Sequence, residues 1–424
     1  MSGDDPDASS EYNVPLVVGS LIAGIFFGGV GGGVAFPTLP TLGAILGISP
    51  FLVGVILSAN RFTRLLMNTP AGQVIDRMGT RVPMISGLFL QALAPFGYVV
   101  GLYADLIPVF GPAEIFIGAR VLWGIGSAFV FVGAFSTVTH ITDEENRGKW
   151  IGYFRGGQSL VLPSGLILGG VLTDLYSYEA AFATAGASGL FATVVAAAVL
   201  PNLVPDVQQQ TRIRDLPSLV RSDPRIFTIG TVNFVVRFLF IGVLISTIVL
   251  YAEVYGIEFP VLGAIGASGI FMAIAVLFSS GTTIISGNLS DWVDNRALVT
   301  APALGVFAFG FGLLSAVPTL HATIAAVALI GVGVGGTNPP LLAYLGDISP
   351  ESDVGKMGGV YNVFGDVGST LGPVLALPLA DWIGYRVVYL GCGLLAFVTI
   401  FLVVWTLLGG FRTRRWTPAT TGDP

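Results

Sequence analysis

Apolar runs of about 20 residues recur twelve times along this chain, and that length decides what it can fold into. The runs fall at roughly 14–36, 50–73, 82–103, 114–138, 151–173, 179–200, 226–251, 261–284, 297–317, 321–345, 357–378 and 386–410. At about 1.5 Å per residue, such a helix crosses the ~30 Å hydrocarbon of a bilayer. Lipid offers no partner to a backbone N–H or C=O, so only helices and closed barrels span it. A barrel would read as alternating segments of about ten residues, which are not seen. Only 10% of the 424 residues are charged, against roughly a quarter in soluble proteins. The expected fold is therefore all-α and polytopic, with about twelve transmembrane helices. The segment before Val14 has no Lys or Arg, so it lacks the basic start of a secretory signal, and the first run reads as a retained span.

The one long polar interruption, residues 201–225, lies near the middle. It divides the chain into a tail (1–13), a six-helix half (14–200), a linker (201–225), a second six-helix half (226–411) and a second tail (412–424). Alternate loops plus the C-terminal tail carry fourteen basic residues, among them Arg77, Arg81, Arg147, Lys149, Arg212, Arg296, Lys356 and Arg412. The other set of loops carries only Arg386. The positive-inside rule then places both termini in the cytoplasm of a multi-pass plasma-membrane protein.

The halves repeat. With the chain shifted by 207 residues, positions 124–174 and 331–381 share eleven identities, including Gly148/Gly355, Lys149/Lys356, Gly165/Gly372 and Asp174/Asp381. About four would arise by chance in this composition. Paired structural repeats are the usual build of secondary transporters.

A single cysteine, Cys392, and two histidines, His140 and His321, provide neither a disulfide framework nor a metal cluster. No nucleophile–base set is readable, so no catalytic residues, metal or cofactor are assigned and an enzyme is not expected. The composition excludes a nucleic-acid partner; the expected partners are the bilayer and a small-molecule substrate, for a monomer.

The turn after the second run reads Gly72-Gln-Val-Ile-Asp76-Arg77-Met-Gly79-Thr80-Arg81. It resembles the signature loop of the major facilitator superfamily, with Thr80 at a position that is usually basic. The second half holds an eroded copy, Gly287 to Asp291 and on to Arg296. Arg120-Val-Leu-Trp-Gly124-Ile-Gly126 is similar to that family's fourth-span arginine motif. Val161 to Gly170, with Pro163, Gly165, Gly169 and Gly170, resembles the fifth-span motif of its drug:proton antiporters, though the proline has moved three residues early. Gly372-Pro373 in the eleventh span keeps the Gly-Pro form. The resemblance implies two pseudo-symmetric six-helix bundles that expose a central cavity alternately to each side, powered by a proton or other ion gradient. It also implies a gating role for Gly72, Asp76, Arg77, Gly79, Arg81, Asp291 and Arg296, and close helix packing at Gly165, Gly169, Gly170, Gly372 and Pro373.

Four arginines lie inside spans: Arg61, Arg64, Arg120 and Arg237. Each costs about 2.5–3.5 kcal/mol at a helix centre, so none is expected to face lipid. Arg61, Arg64, Asn68 and Gly72 follow helical spacing and form one stripe. At matching positions the second half has Val276, Ser279 and Val327, so the arginines are additions to the repeat rather than part of it. Arg61, Arg120, Arg237, Asn233 and Asn362 are assigned to a substrate cavity. Asp366, about 13 Å into the eleventh span, is assigned to coupling and gating with Arg64. By the resemblance, spans two and eleven meet on the cytoplasmic side, where an Arg64–Asp366 contact would close the inner gate while the outer side is open.

The leading function is proton-coupled efflux of a small organic solute. Transport of an anionic metabolite or organic acid is the alternative, favoured by the arginines. A transporter-like receptor or a lipid flippase is the alternative from a different class.

Overall fold

The computed structural model describes residues 13–106, 109–203, 223–349 and 354–409. The expected tails before Asn13 and after Gly409, most of the linker, and Arg212, Arg214, Arg221, Arg412, Arg414 and Arg415 lie outside the described residues.

Among the described residues the chain forms twelve long helical units. The first half holds α1 (Val14–Ile45), α2 (Pro50–Met78), α3 (Arg81–Leu102), α4 (Pro112–Ile141), α5 (Glu144–Ser159 continuing as Val161–Leu175) and α6 (Tyr178–Val199). The second half holds α7 (Pro224–Tyr255), α8 (Ala264–Asp291), α9 (Ala297–Ala316), α10 (Leu320–Ile348), α11 (Val354–Ile383) and α12 (Tyr385–Gly409). Eleven of these are long and apolar enough to cross a membrane. The exception is α2, where Asn60, Arg61, Arg64 and Asn68 interrupt the apolar run.

Several starts follow from capping chemistry. Asn13, Ser49 and Ser177 each accept a backbone N–H from three residues on, and Pro50 occupies the first turn of α2. Asp223 caps α7 by accepting the Arg225 N–H, two residues on, ahead of Pro224.

The structure lengthens most of the expected spans. Helix α1 runs through Pro37 and Pro40 to Ile45 rather than stopping at Phe36, because a neighbouring helix can offset a proline's lost bond inside a bundle. Helix α7 contains a π-helical segment, Phe238–Leu244, directly after Arg237. That irregularity has no sequence signal, and such segments often sit at functional positions.

Helices α1, α3, α5 and α6 pack together, with α4 against α2 and α3; in the second half α9 and α10 pack, with α8 on α10, α12 on α9 and α7 on α11. The halves meet chiefly through α2 against α11 and α5 against α8, with smaller contacts of α1 on α7 and on α8. With the chain running up and down, the helix ends nearest both termini and the interhalf linker form one basic end; the other is the opposite end.

The interhalf contacts are tight only toward the opposite end. A Cβ on Gly54 would sit 2.5 Å from the Pro373 carbonyl oxygen and 2.7 Å from the Val374 Cα. On the other side, a Cβ on Gly170 would sit 2.7 Å from the Ile265 carbonyl oxygen and 3.1 Å from the Gly266 Cα. Backbones this close require glycine. Toward the basic end, Gly152 and Gly156 of α5, Gly281 of α8 and Gly358 of α11 have nothing within 4 Å of such a position. The molecule is sealed at the opposite end and splayed at the basic end.

Asp174 adds a polar clasp to the seal. Its Oδ2 accepts from the Gly266 N–H at 2.7 Å, so a carboxylate on α5 caps the first turn of α8 across the halves. Asp174→Asn removes the charge, and an N-terminal cap is worth about 0.5–2 kcal/mol. Spin labels at the exposed positions Tyr176 and Val261 are expected to show a larger population of long distances in this variant; an unchanged distribution would remove Asp174 from the seal.

Candidate functional site

Helix α2 carries the polar stripe into the contact between the halves. Ser58 donates to the Thr370 carbonyl of α11 at 2.6 Å. One and a half turns further on, Arg64 Nη2 lies 3.6 Å from Asp366 Oδ1, each side chain about a quarter exposed. The Asp366 carbonyl accepts from Thr370 and Ser369, which stiffens α11 beneath the pair. Every other described carboxylate on a spanning helix lies near a helix end, as Asp76, Asp174, Glu253 and Asp347 do. Asp366 alone occupies mid-depth.

This ion pair forms while the opposite end is sealed. The expectation from the sequence is the reverse state, with α2 and α11 meeting on the basic side. They meet instead through Gly54, Ser58, Pro373 and Thr370 toward the opposite end, because glycine and proline there allow the backbones to touch. Arg64 and Asp366 therefore sit at the apex of the opening.

Arg61 lies over the Phe36 ring of α1, with its Cζ 5.0 Å from the ring centroid. It is within electrostatic reach of Arg64, Arg120, Asp366 and, from the second half, Arg237. Its Nη1 is buried without an acceptor. Arg64 lies over the Phe131 ring of α4 at 5.5 Å. Such ring faces partly replace the water a guanidinium loses.

Arg120 departs from its expected role. It is fully buried, and its Nε and Nη2 donate to the Ile56 and Leu57 carbonyls of α2 at 3.2 and 3.0 Å. Its Cζ is 5.6 Å from the Phe36 ring. It is a strut between α4 and α2 rather than a cavity residue, since carbonyl oxygens inside a bundle are the nearest acceptors for a guanidinium without a carboxylate. Arg120→Ala is expected to cost about 2–5 kcal/mol through the vacated volume and the lost charge-assisted bonds. Thermal unfolding should show a lower midpoint, with transport of all solutes falling alike; a loss confined to one charge class would return Arg120 to the cavity.

In the second half, Asn233 is also buried, and its Nδ2 donates to the Tyr361 carbonyl of α11 at 2.6 Å. The Tyr361 hydroxyl donates to Asn338 Oδ1 of α10 at 3.0 Å. Asn233 thus ties α7 to α11, leaving its Oδ1 without a donor. Arg237, one turn on, packs its stem against Gly365 and is partly exposed, with Nε buried and unpaired. Phe234 and Phe238 stack beside it at 5.8 Å. Asn362 is exposed on α11 and is not joined to the cluster by any hydrogen bond among the described residues.

The two copies of the signature loop differ. Asp76 and Arg77 are exposed on the last turn of α2 rather than in a loop. Gly79 takes φ +80°, ending the helix, and a Cβ there would meet Asn202 and the Leu203 carbonyl. The Thr80 N–H donates to Leu203 O at 2.7 Å, and Arg81 Nη2 to Ala197 O at 2.8 Å. In the second half Arg296 bridges Asp291 at 2.5 Å and Asp347 at 2.6 Å. The hydrogen bonds that its guanidinium donates to Asp347 and then Asp291 raise its pKa above the ordinary arginine value. One copy pins its turn to the end of α6; the other pins α8 to α10.

The packing glycines each meet a particular partner. Gly165 and Gly169 face α1 at Gly33 and Val34, Gly170 faces α8, Gly372 faces Gly242 of α7, and Pro373 faces Gly54. Sequence reasoning missed Phe36, Phe131, Ser58, Tyr361 and Asp174. Only Asp174 carried a signal, its identity with Asp381 in the repeat.

A stiff pair of halves, closed at one end around a mid-depth cluster of charge and aromatic rings, is suited to binding a small solute and releasing it by rocking. The family model of the Major Facilitator Superfamily matches residues 21–369 and, again, 303–423. The chain is 23% identical over 374 residues to Multidrug resistance protein 1 of Bacillus subtilis (strain 168), covering 87% of this chain and 90% of that protein. It is 25% identical over 402 residues to the probable galactarate/D-glucarate transporter GarP of Escherichia coli (strain K12), covering 85% and 87%. A bacterial homologue of the human lysosomal transporter Spinster, crystallised inward-facing and occupied, matches with a TM-score of 0.73 at 16% identity, over 98% of this chain and 100% of that one. That last likeness concerns the fold alone. Together with the twelve helices in paired halves, the matches identify this chain as a member of the Major Facilitator Superfamily, a multi-pass membrane transporter that moves a small organic solute by alternating access.

Proposed function

We propose that the protein exports small amphipathic organic solutes across the plasma membrane in exchange for protons. It works as a monomer, with the basic end and both termini in the cytoplasm. The observation that carries the reading is the Arg64–Asp366 pair, which holds the one mid-depth carboxylate among the described residues between the halves at the apex of the opening. Protonation of Asp366 would release Arg64 and couple proton entry to a change in how α2 and α11 meet. The multidrug-resistance relative supports export of drug-like compounds. The partly exposed rings of Phe131, Phe234 and Phe238 beside the charges suit an amphipathic cargo.

The reading is tested in proteoliposomes loaded with a fluorescent amphiphile. An imposed pH gradient is expected to drive flux that a protonophore abolishes. Flux indifferent to both the gradient and the protonophore would overturn proton coupling.

A further inference from the structure

We infer that the solute carries a carboxylate, received between Arg61 of α2 and Arg237 of α7. The inference deepens the export reading and rests on it for the location of the site. The central cluster holds four guanidinium groups. Arg120 is fully buried against the Ile56 and Leu57 carbonyls, and no charge opposes it there. Arg64 faces Asp366. Arg61 and Arg237, one from each half and within electrostatic reach of each other, share no second carboxylate. The nearest other acids along these helices, Asp76 on α2 and Glu253 on α7, lie near helix ends.

Three guanidinium donors of the cluster, Arg61 Nη1, Arg120 Nη1 and Arg237 Nε, are buried without an acceptor. Arg120 is sealed from any solute, whereas Arg61 and Arg237 keep some exposed surface through which one can arrive. A buried donor left unmade is costly, and two like charges in a low-dielectric site add to that cost. Asn233 Oδ1, one turn from Arg237, also lacks a partner. As a neutral acceptor it could take one hydrogen bond but would leave the charge uncancelled. A carboxylate does both, because its two oxygens match the planar fork of a guanidinium. An ammonium solute would meet three cations and a single carboxylate that Arg64 already engages.

The surrounding rings fit the rest of such a molecule. The stacked Phe234 and Phe238 bracket Arg237 along α7, and Phe131 lies under Arg64; all three rings keep some exposed surface. An anionic head between the arginines would leave an apolar or aromatic body against these faces. Because Arg61 and Arg237 come from different halves, an anion bridging them would also replace the repulsion between the halves with a shared contact.

The test compares two probes of matched skeleton, 2-naphthoate and 2-naphthylmethylammonium, on the full-length protein in nanodiscs by calorimetry at neutral pH. The carboxylate is expected to bind at least tenfold tighter than the ammonium. Arg61→Gln and Arg237→Gln should each weaken naphthoate tenfold or more while leaving ammonium binding unchanged or stronger. Arg61→Lys, which keeps the charge but loses the fork, should recover part of the affinity. Unfolding midpoints of the variants, measured alongside, separate loss of binding from loss of fold. Equal binding of the two probes, preference for the ammonium, no binding of naphthoate, or equal weakening of both by the folded glutamine variants would each overturn the inference. Proton-driven export of cationic or neutral amphiphiles alone would sink the carboxylate site and leave export standing. Naphthoate binding with no gradient-driven flux would do the reverse.

Discussion

Replacing Gly170 by leucine is expected to abolish net transport and leave the opposite end open. A Cβ at this position would lie 2.7 Å from the Ile265 carbonyl oxygen and within 3.3 Å of the Gly266 and Gly269 Cα atoms, all backbone of α8. No rotamer change relieves contacts with backbone, so α5 and α8 must separate. Overpacking of this kind costs about 1–3 kcal/mol, more for a branched side chain between helices. The cost falls only on the state in which the two helices touch. A bias of about 1–3 kcal/mol shifts a two-state population about 5- to 150-fold. Gly54→Leu should act alike, since its neighbours are the Pro373 carbonyl and the Val374 Cα. The measurement is labelling of Thr370→Cys by a membrane-impermeant thiol reagent in right-side-out and inverted vesicles. Cys392 is buried, which keeps background labelling low. Labelling in the Gly170→Leu background should rise from the opposite face and fall from the basic face. Unchanged labelling with normal flux would show that the α5–α8 contact is not part of the cycle.

Asp366→Asn should uncouple transport from protons. The substitution keeps the size and the hydrogen-bonding oxygen but removes the charge opposite Arg64 and, among the described residues, the only mid-depth carboxylate. Gradient-driven accumulation is expected to fall about tenfold or more, while exchange of labelled for unlabelled solute, which needs no net proton movement, continues. Both side chains are about a quarter exposed, so the pair adds little to folding stability, about 1 kcal/mol at most. A large fall in the unfolding midpoint would therefore point to damage elsewhere. Arg64→Gln frees the carboxylate instead and should leave proton binding intact but disconnected from the helix contact. If Asp366→Asn still accumulates solute against a gradient, the coupling site lies elsewhere.

Much of the architecture was legible in the residues. Span length and a low share of charge require a helical bundle in lipid, and the matching glycines at 148/355 and 165/372 disclose the repeat. The four intramembrane arginines stood out because burying a charge is expensive and therefore rare. Their division of labour was not legible. Arg120 and Arg61 look alike along the chain, yet one is fully buried with Nε and Nη2 on the Ile56 and Leu57 carbonyls, while the other is partly exposed beside Phe36. Asn233 likewise reads as a cavity residue until Tyr361 is found accepting its amide. The π-helical turn after Arg237 escaped notice because backbone register is set by packing against α11, where Gly242 meets Gly372.

What the sequence determined by itself is the class and the inventory: twelve spans in two related halves, a signature turn at Gly72–Arg81, and charges in the membrane that must face protein or cavity. Those follow from local rules, the length of an apolar helix and the cost of a charge in lipid. Which charges meet, which glycines seal the halves, and which end stands open were decided only by tertiary structure. They depend on contacts between residues hundreds of positions apart, such as Ser58 with Thr370 and Arg64 with Asp366, and no local pattern encodes the angle at which two helices cross.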